Sequence, residues 1–325
     1  MKLRFLICAD PLEKLDTKFD LGVFVSEEIL SREHEVFYCD LSQLNFSLST
    51  TEFLSKLPAY KIHAADSSKA KSFWELGNKE EVNAESFHVI LQRKDPPVDA
   101  IYKIICQKFS KLPKNILQVN NPQYTATLSE HQLPLQYKEF SADTYVCSSY
   151  SEFQNAFEQI ENKRVVIKPE GDFAGNGIRF EVKALLNEAK LKEIWNSYLK
   201  KPVIIQPYLK EIQSIGDLRI LCFNKKILGS LLRKPAPGQE LANLHQGGSG
   251  HKGNPSPKQL LACQAVMDDL TPKGLYLLGL DFIGDHLTEV NITCPTLLKQ
   301  IVNLDNPLAR KTFIDECEGL VKSLS

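Results

Sequence analysis

No stretch of this chain approaches the roughly 20 consecutive apolar residues that cross a bilayer, and no tract masses Lys or Arg into a basic patch. The first absence leaves membrane insertion unsupported. With a formal net charge of -1, the second leaves no field able to hold a polyanion, so nucleic acid is not an expected partner. CxxC pairs and Cys/His clusters of zinc spacing are missing too. The eight cysteines stand singly, mostly inside apolar runs, where a thiol acts as a small buried hydrophobe. A reducing cytoplasm suits them. The opening run from Lys2 to Cys8 starts basic, but its apolar stretch is too short for a secretory signal. Internal repeats, low-complexity tracts, a Walker A loop and a GxGxxG turn after the first strand are all absent, which disfavours a Rossmann dehydrogenase.

What is present is a chain of 325 residues with 43% apolar residues, enough for a large core divided among two or three domains. Its first third alternates strand signals (Leu3 to Cys8, Glu35 to Cys39, His88 to Gln92, Ile116 to Asn120) with helical ones (Leu21 to Arg32, Asp99 to Ser110). That order implies βαβ units and a parallel sheet. The second helix is expected to bury Ile101, Ile104, Ile105 and Phe109. Residues 44–86 are polar and weakly periodic and read as a long surface excursion. Asn121-Pro122 is a plausible boundary. Beyond it, strands at Thr144 to Cys147, Arg164 to Lys168 and Ile178 to Val182 flank a helix that carries Phe153, Phe157 and Ile160 on one face. A set of strands from Val203 onward, a helix around Lys258 to Leu270, two more strands and a C-terminal helix complete the chain.

Four segments carry chemistry. In Gly279 to Asn291, Glu289 and Asn291 are two apart on a strand and point the same way, while Asp281 lies across a Gly284-Asp285 turn. Three hard oxygen donors of this kind suit Mg²⁺, and a solvated hairpin face fits the local pattern equally well. Val165 to Ile178 is a β-branched strand ending in Lys168 and a glycine-bearing loop able to approach phosphate oxygens. A plain hairpin with a flexible tip also fits. Arg233 to Gly250 is a Gly/Pro-punctuated loop with the composition of a lid. Gln92 to Asp99 sits at the carboxyl end of a parallel-type strand, where Arg93 suits a carboxylate.

The order and spacing of these segments over nearly the whole chain resemble the bacterial-type glutathione synthetases of the ATP-grasp superfamily. The resemblance rests on Asp10-Pro11, Arg93 to Pro97, Lys168-Pro169, Gln206 to Leu209, Gly216 to Arg219, Asn243 with Gly247 and Gly248, and Gly279 to Thr296. It implies an α/β and α+β architecture, an ATP-grasp fold preceded by an N-terminal parallel-sheet α/β domain. The expected domains are residues 1–122, a small lid domain 123–203 and a C-terminal domain 204–325 with the metal site. The implied reaction is the ATP-dependent ligation of γ-glutamylcysteine and glycine through an acyl phosphate. A different acceptor on the same scaffold, or an ATP-binding protein of weakened catalysis, is the alternative.

The same resemblance assigns roles. Lys168, Arg219 and Arg233 are the catalytic set. Lys168, Gly175, Gly177, Gln206, Tyr208, Leu209 and Asp217 belong to the nucleotide, joined by His131, which stands where the family's Asn-Glu-Lys segment places a lysine; Lys138 is the other candidate for that role. Arg93, Asp95, Arg233, Asn243, Gly247 and Gly248 are expected at the substrates. Asp281, Glu289 and Asn291 would hold two Mg²⁺ ions, with Mn²⁺ as a possible substitute. A cytoplasmic dimer or tetramer is implied.

One geometric requirement follows. A regular two-residue turn at Gly284-Asp285 would set Asp281 opposite Thr288 and turn Glu289 to the other face. The metal set therefore predicts an odd-length turn or a bulge in this hairpin, and a structure with the two carboxylates on opposite faces would exclude it.

Overall fold

The computed structural model describes residues 1–16, 19–64, 74–170, 177–198, 202–242, 244 and 247–324. Three sheets organise it. The first contains β1 (Arg4–Ala9), β2 (Glu35–Asp40), β3 (Leu57–Ala64), β4 (Trp74–Val82), β5 (Val89–Arg93) and β6 (Leu117–Val119), in the order β4-β3-β2-β1-β5-β6. Strands β2, β1, β5 and β6 run parallel. They read as near-continuous apolar runs because both faces are covered.

Helix α1 (Leu21–Ser31) crosses from β1 to β2, and the Asp20 carboxylate caps it by accepting from Val23 N at 2.7 Å. Helix α2 (Thr50–Ser55) follows β2, and α3 (Ala100–Phe109) follows β5. Asp99 caps α3, as its position before the helix predicts. The buried face of α3 is Tyr102, Ile105, Cys106 and Phe109, whereas Ile101 is 50% and Ile104 38% exposed. The expected face was thus misplaced, because Tyr102 and Cys106 complete an i, i+3, i+4, i+7 stripe that the two isoleucines do not. The expected excursion at 44–86 is also corrected. It contains α2 and the antiparallel β3-β4 hairpin at the sheet edge, where Leu57, Ala59 and Ile62 are buried and β4 has Val82 buried, Leu76 half-buried and an exposed polar run from Asn78 to Glu81. An edge strand with one wet face carries little apolar periodicity.

Asn120, just after β6, ties this sheet to the third. Its side chain donates to Leu277 O and Ile292 O at 2.7 Å each and accepts from Leu277 N at 2.8 Å. Helix α4 (Pro122–Thr125) follows.

The second sheet is antiparallel, in the order β7 (Tyr145–Cys147), β10 (Val203–Pro207), β8 (Arg164–Pro169), β9 (Arg179–Val182). Helices α5 (Tyr150–Gln159) and α6 (Glu188–Ser197) cover it, burying Phe153, Phe157, Leu191 and Ile194 against Val165, Ile167 and Ile205. The expected cut at 203/204 falls inside this layer, since β10 pairs with both β7 and β8. Residues 124–140 likewise pack elsewhere: Leu133 and Phe140 belong to the core of the third sheet.

Helix α7 (Glu211–Ser214) leads into that third sheet, β13 (Ser249–Lys252), β12 (Lys226–Lys234), β11 (Asp217–Phe223), β14 (Leu277–Ile283) and β15 (His286–Asn291), in that spatial order. Helix α8 (Pro257–Leu270) buries Ala262, Val266 and Leu270 against one face, which presents Leu218, Ile220, Leu278 and Leu280. The opposite face is divided along β11. Leu221 and Phe223 pack under α9 (Leu298–Leu304) and α10 (Ala309–Leu324), with the Phe223 and Phe313 ring centroids 4.3 Å apart. Asp217 and Arg219 occupy its other end.

Helix α10 returns to the first sheet. Arg32 of the α1 C-cap bonds Glu28 at 2.8 Å, Asp315 at 2.7 Å and Glu318 at 2.9 Å. Burial would raise the Glu318 carboxyl, but Arg32 and His34 hold it below its ordinary value. A depressed carboxylate adds stability that is full above its unfolded pKa of about 4.3 and is lost as pH falls through the folded value. Arg32→Met is therefore expected to lower the unfolding free energy by about 1–2 kcal/mol at pH 7, with the deficit shrinking near pH 3. Urea titrations at the two pH values check this; an equal deficit at both would contradict it.

Candidate active site

Cross-strand register builds the floor of the site. Arg219 on β11 lies opposite Asp281 on β14, and Asp281 lies opposite Glu289 on β15. Directly paired residues share a face, so the three form one row. The turn at Gly284-Asp285 is two residues long, and Thr288 is an extra residue in β15, because the register steps between Asp281/Glu289 and Phe282/Leu287. This bulge is the odd-parity device that the hairpin requires. The bulged Thr288 donates to Asp281 O at 3.0 Å.

Buried charges on this floor are paired. Arg219 donates to both Asp281 oxygens, Nε to Oδ1 at 2.6 Å and Nη2 to Oδ2 at 2.5 Å. Arg233 Nη2 lies 2.5 Å from Asp217 Oδ2 and 3.0 Å from Asp281 Oδ2. The Asn291 amide donates to Gly279 O at 3.1 Å and Asp281 Oδ2 at 3.4 Å, so its own oxygen is left for another partner. Gly279 also lets Pro295 close in: a Cβ there would stand 3.2 Å from Pro295 Cβ, tighter than ordinary packing. Burial would raise the Glu289 carboxyl, but His131, Lys168 and Arg219 hold it well below the usual carboxylate range. Among the described residues, no three His, Cys, Asp or Glu side chains converge as a metal group. The expected set has only two such residues, its third donor being an amide.

The roof comes from the second sheet. Lys168 on β8 is 8% exposed, and its ammonium is lowered by burial against the pull of Glu289, Asp281 and Asp217. A cavity of 150 Å³ separates roof from floor. Lys168, Gln206, Tyr208, Leu209, Asp217, Asp281 and Glu289, each expected in the site, all line it. At one end the walls turn apolar with Val166, Phe180 and Ile283, as a flat aromatic base requires. Gln206 Nε2 donates to Thr144 Oγ1 at 2.7 Å.

The remaining expected residues are dispersed. His131 Nε2 lies 3.1 Å from Glu289 Oε1, whereas Lys138 is exposed and lines neither this cavity nor the one beside it. Gly177 has a positive φ of 71° just before β9. Arg93 is 1% exposed, donates through Nη1 to Pro295 O at 3.0 Å, and has no hydrogen-bond partner for Nε or Nη2 among the described residues. The Asp95 amide is held by Asp10 Oδ2 at 2.9 Å. Gly247, with φ 91°, and Gly248 precede β13 and do not line the cavity. Gly175 and Asn243 lie outside the described residues.

Three contributors escaped the sequence reading. Glu130 Oε1 accepts from Ile292 N at 2.6 Å, Thr293 N at 2.8 Å and Thr293 Oγ1 at 2.9 Å, fixing the chain that leaves β15. Arg164, at the start of β8, stacks over the Tyr208 ring at 4.1 Å and bonds Glu240. Glu240 belongs to the loop after β12, where Glu240, Leu241 and Ala242 form one wall of the cavity. Gln213 Nε2 also donates to Gln239 O at 3.0 Å.

The family description "Prokaryotic glutathione synthetase, N-terminal domain" matches residues 3–125, and "Prokaryotic glutathione synthetase, ATP-grasp domain" matches residues 130–306. The glutathione synthetase of Synechococcus elongatus is 31% identical over 327 aligned residues, covering 99% of each chain. That of Mesorhizobium japonicum is 26% identical over 98% of this chain and 99% of its own. Among solved structures, the D-cycloserine synthetase DcsG superposes with a TM-score of 0.66 at 12% identity, over 99% of this chain and 100% of its own. The macrocyclase MdnC of Microcystis aeruginosa, bound with its precursor peptide, reaches 0.61 at 12% identity, over 96% and 100%. At such identity these two show the fold alone.

The Arg164–Glu240 pair ties the loop after β12, which walls the cavity, to β8 of the second sheet. Glu240→Gln is expected to speed release of a fluorescent ATP analogue, read by stopped flow, about three- to tenfold, the effect of roughly 1 kcal/mol in a half-buried pair. Arg164→Met/Glu240→Gln should be no faster than Arg164→Met alone. Additive effects would mean that the two residues act separately.

Proposed function

The chain belongs to the prokaryotic glutathione synthetase family, and from this premise we propose how its own residues carry out the ligation. It is an ATP-dependent ligase joining γ-glutamylcysteine to glycine, with glutathione, ADP and phosphate as products. The observation that carries the mechanism is the pair Asp281 and Glu289 sharing one cavity with Lys168, with Arg219 and Arg233 held just behind its lining by Asp281 and Asp217.

A carboxylate resists attack by an amine because oxide would have to leave. Transfer of the ATP γ-phosphoryl group to the cysteinyl carboxylate gives an acyl phosphate, from which phosphate leaves readily. Such a transfer asks the protein for position and charge complementarity more than covalent help. Lys168 supplies a buried ammonium to the phosphates. Arg219 and Arg233, aligned on the floor by Asp281 and Asp217, supply guanidinium donors to the transferring group and to the acyl phosphate. The base of ATP occupies the apolar end, beside Gln206, Tyr208 and Leu209, with Asp217 toward the sugar; Gly177 and Gly175 are assigned to the phosphates by the family resemblance. The glycine amine then attacks the acyl carbon, and the loop after β12 keeps water out meanwhile. Arg93, Asp95, Asn243, Gly247 and Gly248 are assigned to the substrate side.

ATP-grasp enzymes use divalent metal ions. The donors here fit one in kind: the Asp281 and Glu289 carboxylates and the side-chain oxygen of Asn291 are hard ligands on one face, and Asp281 would share its oxygens between the metal and Arg219. We assign them two Mg²⁺ ions, with Mn²⁺ able to substitute. Bound there, the metal would neutralise charge on the phosphoryl oxygens. His131, bonded to Glu289, is a positioning residue of this set. The division into domains 1–122, 123–203 and 204–325 belongs to the same reading, with residues 124–140 packed on the third sheet and β10 kept in the second. A cytoplasmic home fits eight free cysteines, and a dimer or tetramer fits the exposed Ile101 and Ile104 of α3.

Phosphate release in the presence of ATP and Mg²⁺ should require both γ-glutamylcysteine and glycine; equal turnover with unrelated dipeptides would overturn the substrate assignment. Glu289→Gln should lower kcat at least about a hundredfold while leaving the fold intact by circular dichroism. Acting through Glu289, His131 should matter to the nucleotide: His131→Ala is expected to weaken ATP affinity by roughly tenfold, while Lys138→Ala should be silent. A silent His131→Ala with weakened binding in Lys138→Ala would move the phosphate role to Lys138.

A further inference from the structure

A second cavity, of 320 Å³, adjoins the first. Glu289 lines the nucleotide cavity, His131 lines this one, and the two side chains meet at 3.1 Å. A molecule held here therefore stands one side chain away from the carboxylates of the floor. Its walls come from three parts of the chain: Pro96 and Val98 after β5 with Lys103 on α3, the segment ending in Glu130 and His131, and Glu170 just past β8.

The charges on these walls narrow the occupant. Lys103 makes no ion pair among the described residues, and Glu170 there receives a side-chain hydrogen bond only from Gln132. A phosphate or other bare anion would meet Lys103 and His131 but also two carboxylates, Glu130 and Glu170. An apolar molecule would strip water from all four. A head group bearing its own ammonium and carboxylate meets both signs at once, while Pro96 and Val98 offer an apolar surface for its carbon atoms.

We propose that this cavity is a subsite for the zwitterionic head of an amino-acid substrate, with the carboxylate on Lys103 and the ammonium on Glu170. The assignment rests on the ligase reading above, which supplies two sources of such a head: glycine itself, and the γ-glutamyl end of the dipeptide.

Lys103→Met, Lys103→Arg and Glu170→Gln distinguish these sources. Loss of one charge-assisted hydrogen bond in a partly open cavity raises KM about tenfold. Lys103→Met and Glu170→Gln should raise the KM of one substrate by that amount with the KM for ATP unchanged, and Lys103→Arg should restore most of it. A rise for glycine alone identifies the acceptor subsite; a rise for γ-glutamylcysteine alone identifies the dipeptide head. Unchanged KM values for both substrates, or a parallel rise for ATP, overturn the proposal. If the wild-type enzyme turns over neither substrate, the ligase reading fails instead. The subsite is then judged by calorimetry with glycine and with γ-glutamylcysteine, where no binding, or binding unaffected by Lys103→Met, overturns it.

Discussion

The bidentate pairing of Arg219 with Asp281 is the constraint on which the site depends. Asp281 is 3% exposed and Arg219 8%, so neither charge has water to fall back on, and removing one partner of such a pair costs about 3–5 kcal/mol. The pair sits on two central, adjacent strands, and its register carries outward in both directions. Asp217 and Arg233 follow two residues away on the same face, and Glu289 follows across β15 once Thr288 is bulged. Three acids (Asp217, Asp281, Glu289) thus face three bases (Lys168, Arg219, Arg233), a balanced array that stays buried while Lys168 and the three acids reach the cavity.

Period-two alternation also explains how one sheet serves both core and catalysis. Leu218, Ile220 and Cys222 bury one face of β11 under α8. On the other face Leu221 and Phe223 are covered by α9 and α10, while Asp217 and Arg219 lie beyond those helices and beneath the second sheet. The helices that return to the first sheet thereby set where the apolar half ends. The Asn120 clamp on Leu277 and Ile292 fixes the same strands from the other side.

Much of this was legible in the sequence wherever the signal is local. Lys168, Gln206, Tyr208 and the pair Asp281 and Glu289 sit in short motifs whose strand register decides their direction, and they line one cavity. The parity of the hairpin could be derived, but the choice between a longer turn and a bulge at Thr288 could not. Contacts between distant segments left no local trace. Glu130 and Thr293 are 163 residues apart, Arg164 and Glu240 are 76 apart, and nothing in either neighbourhood names its partner. The β3-β4 hairpin was missed because an edge strand needs few apolar residues. The α3 face was misplaced because isoleucine outweighed Tyr102 and Cys106 in a pattern that only spacing could decide.

The two cavities give a physical reason for the division of labour among the layers. The nucleotide cavity lies between layers of different construction. Its floor sits on the third sheet, where backbone ladders and paired charges resist displacement, whereas Lys168 and Glu240 come from the second sheet and from the loop after β12. An ammonium or a half-buried carboxylate tolerates a change of position better than a bidentate guanidinium does. Between the two cavities stands a single side-chain contact, His131 to Glu289. Its two residues come from the segment that follows the first sheet and from the floor itself, so a change in the position of either layer alters this contact and reaches both cavities through it.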